Sequence, residues 1–269
     1  MSGTTQRGSC GRCLVPALIF VGTLALLMST NSQYGLTYDE PIYQSKALQA
    51  LEWLGLAVQS PPLAASPGAI DRYWQAKDQH PGFYKLWVAV NTVTLGRLVP
   101  LGEAMRTGTN LMCAIGFCAL YLMVTSVWGR AAGLYSVGAL LCMPHVFAAC
   151  HLAALDAPVM VMFLLTVAAS WKAALASRSA GRGARPADGE AAVDEAGPAG
   201  RGEVWGWAIV AGVLWGLGLG TKLNAFFVPF VVFPWALVFA RAAFVRLATC
   251  YLVLGPLTFL ATWPWLWHD

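Results

Sequence analysis

From Leu14 to Met28 the chain carries no charge, and runs of similar character recur along its length. They lie near Thr107–Trp128, Ala131–Ala149, Ala157–Leu175, Val204–Gly220 and Asn224–Ala240, and a last one reaches about Trp263. A helix needs about 20 apolar residues to cross the hydrocarbon of a bilayer. Lipid offers no hydrogen bonds to the backbone, so such runs must be helical. Composition agrees: 11% of residues are charged, 58% are hydrophobic and the mean hydropathy is +0.59, against about 25% charged in a soluble domain. The expected fold class is therefore all-α, a polytopic membrane protein with about seven transmembrane helices. The lipid bilayer is its first partner, and no feature of the sequence calls for nucleic acid.

Residues 1–13 form a polar, basic tail with Arg7 and Arg12, expected to be cytoplasmic, and residues 14–269 form the membrane domain. Ser29-Thr-Asn-Ser-Gln33 offers no small-x-small cleavage site, so the first run reads as a retained signal anchor. Residues 30–105 make a long first external loop. Within it, Gln44–Ser60 places Ala47, Leu48, Leu51, Leu54 and Val58 on one helical face, the pattern of an interfacial helix. Phe83–Leu101 is apolar but carries Lys85, Asn91 and Arg97, and also reads as interfacial. Residues 176–203, rich in Ala, Gly, Arg, Asp and Glu, read as a disordered cytoplasmic loop.

Orientation follows from the basic residues. With the N-terminus inside, the inner segments hold Arg7, Arg12, Arg130, Lys172, Arg178, Arg182, Arg185, Arg201, Arg241 and Arg246, while the short outer turns hold Lys222 alone. That distribution satisfies the positive-inside rule. Of the seven cysteines, Cys10-Gly-Arg-Cys13 has metal or redox spacing but lacks a second pair. Most of the others lie in apolar runs, where Cys packs as a small hydrophobe.

The same topology gathers Asp39, Glu40, Asp78, His80, Lys85, Arg106, His151, Asp156, Lys222, Asn224, His268 and Asp269 at one face. A single ionisable group there marks the interface; a dozen of mixed acid, base and amide character points to a site. Lys85, Arg106 and Lys222 suit an anionic group such as phosphate. Asp39 or Glu40 suits a general base towards a hydroxyl or amine. Group transfer from a lipid phosphate fits that combination.

Asp78-Gln-His80-Pro81-Gly-Phe-Tyr-Lys85 resembles the Asp-x-His-Pro-Pro-x-x-Lys loop of protein O-mannosyltransferases. Tyr38-Asp39-Glu40 is similar to that family's Asp-Glu in the first external loop. Arg106, Leu155-Asp156-Ala-Pro158 and Gly216–Lys222 follow in the family's order. The chain thus resembles glycosyltransferase family 39 and its bacterial relatives, including lipid A aminoarabinose transferases, over about residues 14–269. The resemblance implies a GT-C-like fold in a bacterial inner membrane with its active face periplasmic. It further implies a polyprenyl-phosphate sugar donor and a protein, lipid A or polysaccharide acceptor. Asp39 then matches the catalytic base, supported by Glu40, and Lys85 matches the ligand of the donor phosphate. Asp78, His80, Arg106, Asp156 and Lys222 are carried over as substrate contacts. Gly82 stands where the family has a second Pro.

Other readings stand beside these. Asp156 also suits a helix start, with Pro158 in the first turn. His80 and His151 are compatible with a divalent metal, but no third ligand has diagnostic spacing, so no cofactor is required. The glycines of Gly216–Gly220 suit close helix packing better than a phosphate loop. A transporter or flippase of an anionic lipid-linked sugar is the alternative function; it calls for polar residues near mid-membrane and repeated halves. The chain stops at Trp263-Pro-Trp-Leu-Trp-His-Asp269, whereas the family continues with further helices, so a fragment is expected.

Overall fold

The structure, a computed structural model, describes residues 10–74, 80–183 and 198–267. Among these residues there are twelve α-helices and no strand. Five helices are long and apolar enough to cross a membrane, at Cys13–Gln33, Thr107–Leu141, Asp156–Ser179, Gly202–Thr221 and Arg241–Thr262. The shorter stretch Leu223–Phe239 is also apolar and helical. Two compact units arise, one from Met1–Gly55 and Lys85–Val161, the other from Leu56–Tyr84 and Met162–Asp269.

In the first unit, α1 (Cys10–Thr30) packs along α7 (Thr107–Leu141). A 3-10 turn, Asn31–Gln33, leads through a loop into α2 (Glu40–Gln59). The helix α7 is continuous in hydrogen bonding but not in direction. Gly129 has φ 85° and ψ 173°, a conformation open only to glycine. Beyond it, Gly133 packs directly on Tyr121 and Thr125. In a straight helix those residues would lie more than 10 Å away, so the chain reverses at Gly129 into a helical hairpin. The expected run 131–149 is thus the return arm of α7, a break at Cys142–Met143, and the short α8 (Pro144–Ala149). Pro144 cannot continue the preceding helix, which fixes the break.

The helix α2 covers the expected interfacial helix and begins four residues before it, at Glu40. Glu40, Ala47, Ala50 and Trp53 are buried, while Leu48 and Val58 are exposed. Leu48 and Val58, on the expected apolar face, thus stay open to the surroundings, as they would in a helix lying at a lipid interface. The helix α5 (Phe83–Val93) has 11 residues, about 17 Å, too short to span. It is followed by a 3-10 turn at Leu95–Leu98 and by α6 (Leu101–Ala104).

The second unit opens with the short α3 (Pro61–Ala64) and α4 (Pro67–Tyr73). Ser66 caps α4 by accepting from Ala69 N–H. The helix α9 starts at Asp156 and continues to Gly183, and α10 starts at Pro198 and ends at Thr221. Both therefore extend into the stretch expected to be disordered, of which residues 184–197 lie outside the described residues. Alanines 173, 174 and 176 are buried, and alanine is the strongest helix former.

The core of this unit is the packing of α10 on α12 (Arg241–Thr262). Glycines 212, 216 and 220 recur every four residues and so share one face. A Cβ on Gly212 would come 2.7 Å from the Cys250 carbonyl carbon, and one on Gly216 would come 2.6 Å from Thr258 Cβ. One on Gly220 would fall 2.9 Å from Thr262 Oγ1. Contacts thus rise together in both helices, so α10 and α12 run parallel, as close as glycine permits. Trp215 stacks on Tyr251 at 5.3 Å between ring centroids and donates from Nε1 to Ala225 O at 2.8 Å. Tyr251 in turn shares a 2.9 Å hydrogen bond with Ser170. Between them α11 (Val228–Phe239) adds Val228, Val232 and Ala236 to the core.

Valine at Gly216 is expected to destabilise the protein by about 1–3 kcal/mol, because the obstruction is helix backbone that cannot rotate away. Gly206 faces open space, so Gly206→Val is the control. Thermal unfolding in detergent should separate the two variants.

Candidate functional site

Thr37-x-x-Glu40 has the spacing of a capping box, in which a Glu reaches back to the backbone three residues earlier. Only the Glu half of that geometry is present: Thr37 N–H donates to Glu40 Oε2 at 3.1 Å, but Glu40 N–H donates to the main-chain carbonyl of Thr37 at 3.3 Å, and α2 begins at Glu40 itself. Here the same carboxylate also accepts a cation. Arg106 donates from Nε to Glu40 Oε1 at 2.9 Å and from Nη2 to Glu40 Oε2 at 2.8 Å. The pair is bidentate, with Arg106 3% and Glu40 0% exposed.

The remaining guanidinium hydrogens are also engaged. Nη1 donates to Asn31 O at 2.9 Å and to Tyr34 O at 2.8 Å; Nη2 donates to Gly35 O at 2.8 Å. An Arg has five N–H donors, and all five are used. Arg106 therefore has none to offer a substrate phosphate and instead clamps the backbone of the loop 31–40. On the far side, Ala153 N–H donates to Glu40 Oε1 at 2.9 Å. Asn31 Nδ2 donates to Asn110 Oδ1 at 2.7 Å, and Asn110 Nδ2 donates to Cys150 O at 2.9 Å. Three segments, 31–40, 106–110 and 150–153, thus meet on one buried ion pair.

Burial alone would raise the Glu40 carboxyl pKa, but Arg106, Ala153 and Thr37 together hold it below the ordinary value of 4.5. His151 closes the same cluster. Its ring stacks on Tyr34 at 4.3 Å, its Nδ1 faces Phe147 O at 2.7 Å and its Nε2 faces Thr30 Oγ1 at 2.7 Å. Thr30 Oγ1 has one proton and two acceptors at 2.7 Å, Leu26 O and His151 Nε2; with Nδ1–H given to Phe147, the neutral ring accepts that proton at Nε2 when the hydroxyl turns from Leu26. Burial lowers its pKa below 6.5; the Phe147 carbonyl acts the other way, and the Arg106 charge lowers it further.

These shifts set a pH profile. The unfolded chain protonates His151 first, so the stability its neutral ring contributes is complete above about pH 6.5 and is lost as pH falls towards the folded value. Glu40 contributes stability above about pH 4.5, lost as pH falls through its lower folded value. Thermal midpoints measured from pH 8 to 4 are expected to fall below 6.5 in the wild type. In His151→Gln that step should disappear, leaving only the later acid limb.

Asp39 stands just outside this cluster. It immediately precedes α2, and its backbone carbonyl accepts Ile42 N–H at 3.1 Å and Tyr43 N–H at 3.2 Å. Its carboxylate is exposed, as is Tyr38 at 92%. The structure therefore separates the two adjacent acids: Glu40 is buried and spent, and Asp39 is accessible on a loop that Glu40 and Arg106 hold. Lys85, in the first turn of α5, is 3% exposed. Asp156 is exposed and is the first residue of α9, with Pro158 in the same turn.

The second unit holds the other carried-over residues. Asp78 lies outside the described residues. His80 is half-buried and leads into buried Pro81 and Gly82. A Cβ on Gly82 would fall 2.9 Å from the Trp74 ring and 3.2 Å from Trp263 Cα, so no larger residue fits there. Lys222, half-buried, follows the end of α10. A Cβ on Gly220 would lie 2.8 Å from Phe83 Cβ. The motifs around His80 and Lys222, far apart in sequence, thus converge on Thr262 and Trp263. Among the described residues no group of three or more His, Cys, Asp or Glu side chains is arranged to hold a metal.

Asn31, Asn110 and Thr30 were not singled out as site residues from the sequence. An Asn in the first turn of an otherwise apolar span is the signal that could have found Asn110, because a buried amide requires partners. Set against family models, curated proteins and solved structures, the chain matches none of them.

Proposed function

We propose that this chain is a multi-pass membrane glycosyltransferase that moves a sugar from a polyprenyl-phosphate donor to a protein, lipid or polysaccharide acceptor. The observation that carries the reading is the division of labour between Asp39 and Glu40. An accessible carboxylate on a backbone clamped by a saturated Arg–Glu pair is what a positioned general base requires. In the proposed reaction Asp39 takes the proton of the acceptor hydroxyl or amine as that atom attacks the anomeric carbon. The bond from that carbon to the phosphate oxygen breaks, and polyprenyl phosphate leaves. The resemblance assigns the donor phosphate to Lys85 as a point charge; at 3% exposed and already partnered, it would have to exchange that partner for the phosphate.

The seven-span arrangement belongs to the same proposal. Dividing α7 at Gly129 adds one crossing. The parallel run of α10 and α12 requires the chain between them to return, and Leu223–Phe239 is the stretch available. At 17 residues it reaches about 25 Å. In the proposed topology, which also takes the positive-inside orientation, Asp39 would lie on the periplasmic face of a bacterial inner membrane.

The test uses membranes containing the full chain and labelled polyprenyl-phosphate sugars. Label passing to protein, lipid A or polysaccharide supports transfer and identifies the acceptor. Donor crossing the membrane without transfer would establish the flippase instead.

A further inference from the structure

We propose that Arg178 and Arg241 form a binding site for an anionic phospholipid, holding its phosphate at the end of the second unit that the proposed orientation puts inside. Both side chains are exposed, and both reach the end of α11. Arg178 Nη2 donates to Phe239 O at 2.9 Å, and Arg241 Nε donates to Leu237 O at 3.1 Å. Those carbonyls are two residues apart, about 3 Å along a helix axis. Two cations from different helices, α9 and α12, therefore gather on one helix end. The helix dipole favours a cation there, and each cap takes a single N–H. A guanidinium has five, and among the described residues neither arginine meets a carboxylate. The donors left over suit a phosphate, which accepts from an arginine fork through two oxygens.

The surroundings supply the rest of a lipid's shape. At the start of α10, the exposed Trp205 ring lies under the Arg246 guanidinium at 6.0 Å from its centroid. An indole in that position marks the depth at which headgroups meet hydrocarbon. On α12, Val245 and Leu252 follow Arg241 by four and eleven residues, which places all three on one stripe, and both are exposed. On α9, Val167 stands eleven residues before Arg178, on the same stripe as that arginine, and is exposed as well. A cation at the head of an exposed apolar stripe thus occurs on both helices. That pattern complements a molecule with an anionic head and acyl tails. Glu203, exposed near Trp205, is the one acid set against Arg178, Arg241 and Arg246 among the described residues at this end. A zwitterionic lipid brings an ammonium that these cations repel, so the surface selects a lipid of net negative charge. The inference rests on the chain being embedded in a membrane and is independent of the sugar-transfer reading.

The full chain, purified in detergent, is titrated with dioleoylphosphatidylglycerol or dioleoylphosphatidylcholine, and bound lipid is counted by native mass spectrometry at low and at high ammonium acetate. The expected result is a phosphatidylglycerol bound about 25-fold more tightly than phosphatidylcholine, about fivefold for each arginine. That preference should shrink as salt rises. Arg178→Gln or Arg241→Gln alone should lose about fivefold of it, and the two together nearly all. Arg178→Lys with Arg241→Lys keeps both charges and should retain a preference. Arg97→Gln with Arg130→Gln removes the same charge from exposed positions of the first unit and should leave the preference intact. Thermal midpoints on the same preparations show which variants are folded. Where the double glutamine variant is not, the single variants and the salt dependence of the wild type decide. Equal affinity of the wild type for the two lipids, or an equal loss in the control pair, would overturn the proposal. Displacement of bound phosphatidylglycerol by inorganic phosphate would also overturn it, by marking a site for phosphate alone.

Discussion

Asparagine in place of Asp39 is expected to lower sugar transfer by about 10²–10⁴-fold, the usual contribution of a positioned base, with the unfolding midpoint unchanged. The substitution keeps the shape of the side chain and removes only its ability to take a proton. Asp39 serves the fold through its backbone carbonyl, which Ile42 and Tyr43 N–H engage, and asparagine keeps that carbonyl. Transfer and thermal unfolding measured on the same preparation separate loss of chemistry from loss of structure. Equal transfer by both proteins would remove Asp39 from the role of base.

Methionine in place of Arg106 is expected to cost about 3–5 kcal/mol of stability, the cost of leaving one member of a buried ion pair alone. Two losses combine. The Glu40 carboxylate is stranded at 0% exposure, and the carbonyls of Asn31, Tyr34 and Gly35 lose the donors they share with that one guanidinium. The double variant Glu40→Gln with Arg106→Met is expected to recover part of the loss, because no buried charge is then stranded. Denaturant unfolding of the two variants measures the difference. Transfer activity should fall in Arg106→Met as well, since the loop carrying Asp39 loses its clamp. A midpoint equal to that of the wild type would show that the pair contributes nothing to the fold.

Much of the fold was legible because lipid leaves the backbone few options. Uncharged runs of about 20 residues marked α1, α9, α10 and α12 to within a few residues at most of their ends. The reversal at Gly129 was visible as the Trp128-Gly-Arg130 interruption between two apolar runs, although the backbone hydrogen bonds continue through it. The helix α2 was legible from its amphipathic periodicity, which marks large aliphatic side chains such as Leu48 and Val58, but that pattern did not mark the buried Glu40 and Trp53. At the site, Asp39 and Glu40 were recognised as a pair, yet nothing in two adjacent acids says which faces solvent. That depends on Arg106, 66 positions later, and on Ala153, 113 positions later. Local patterns carry no information about such partners. The Thr37-x-x-Glu40 spacing, which the sequence analysis did not use, is the local clue that Glu40 turns back on its own backbone.

The ion pair at Glu40 has a consequence for how the protein is made. Its members enter the ribosome's product at three separate times: Asn31 to Glu40 first, Arg106 and Asn110 later, and Cys150 to Ala153 last. Until residue 153 has been synthesised, the Glu40 carboxylate lacks one of its donors and Asn110 lacks the Cys150 carbonyl. The loop bearing Asp39 is therefore completed only after both arms of the α7 hairpin have been made. An arrested nascent chain ending before residue 150 would hold its two acids on an unfinished scaffold, exposed to protease. Extension far enough for residue 153 to leave the ribosome is the point at which that sensitivity should disappear.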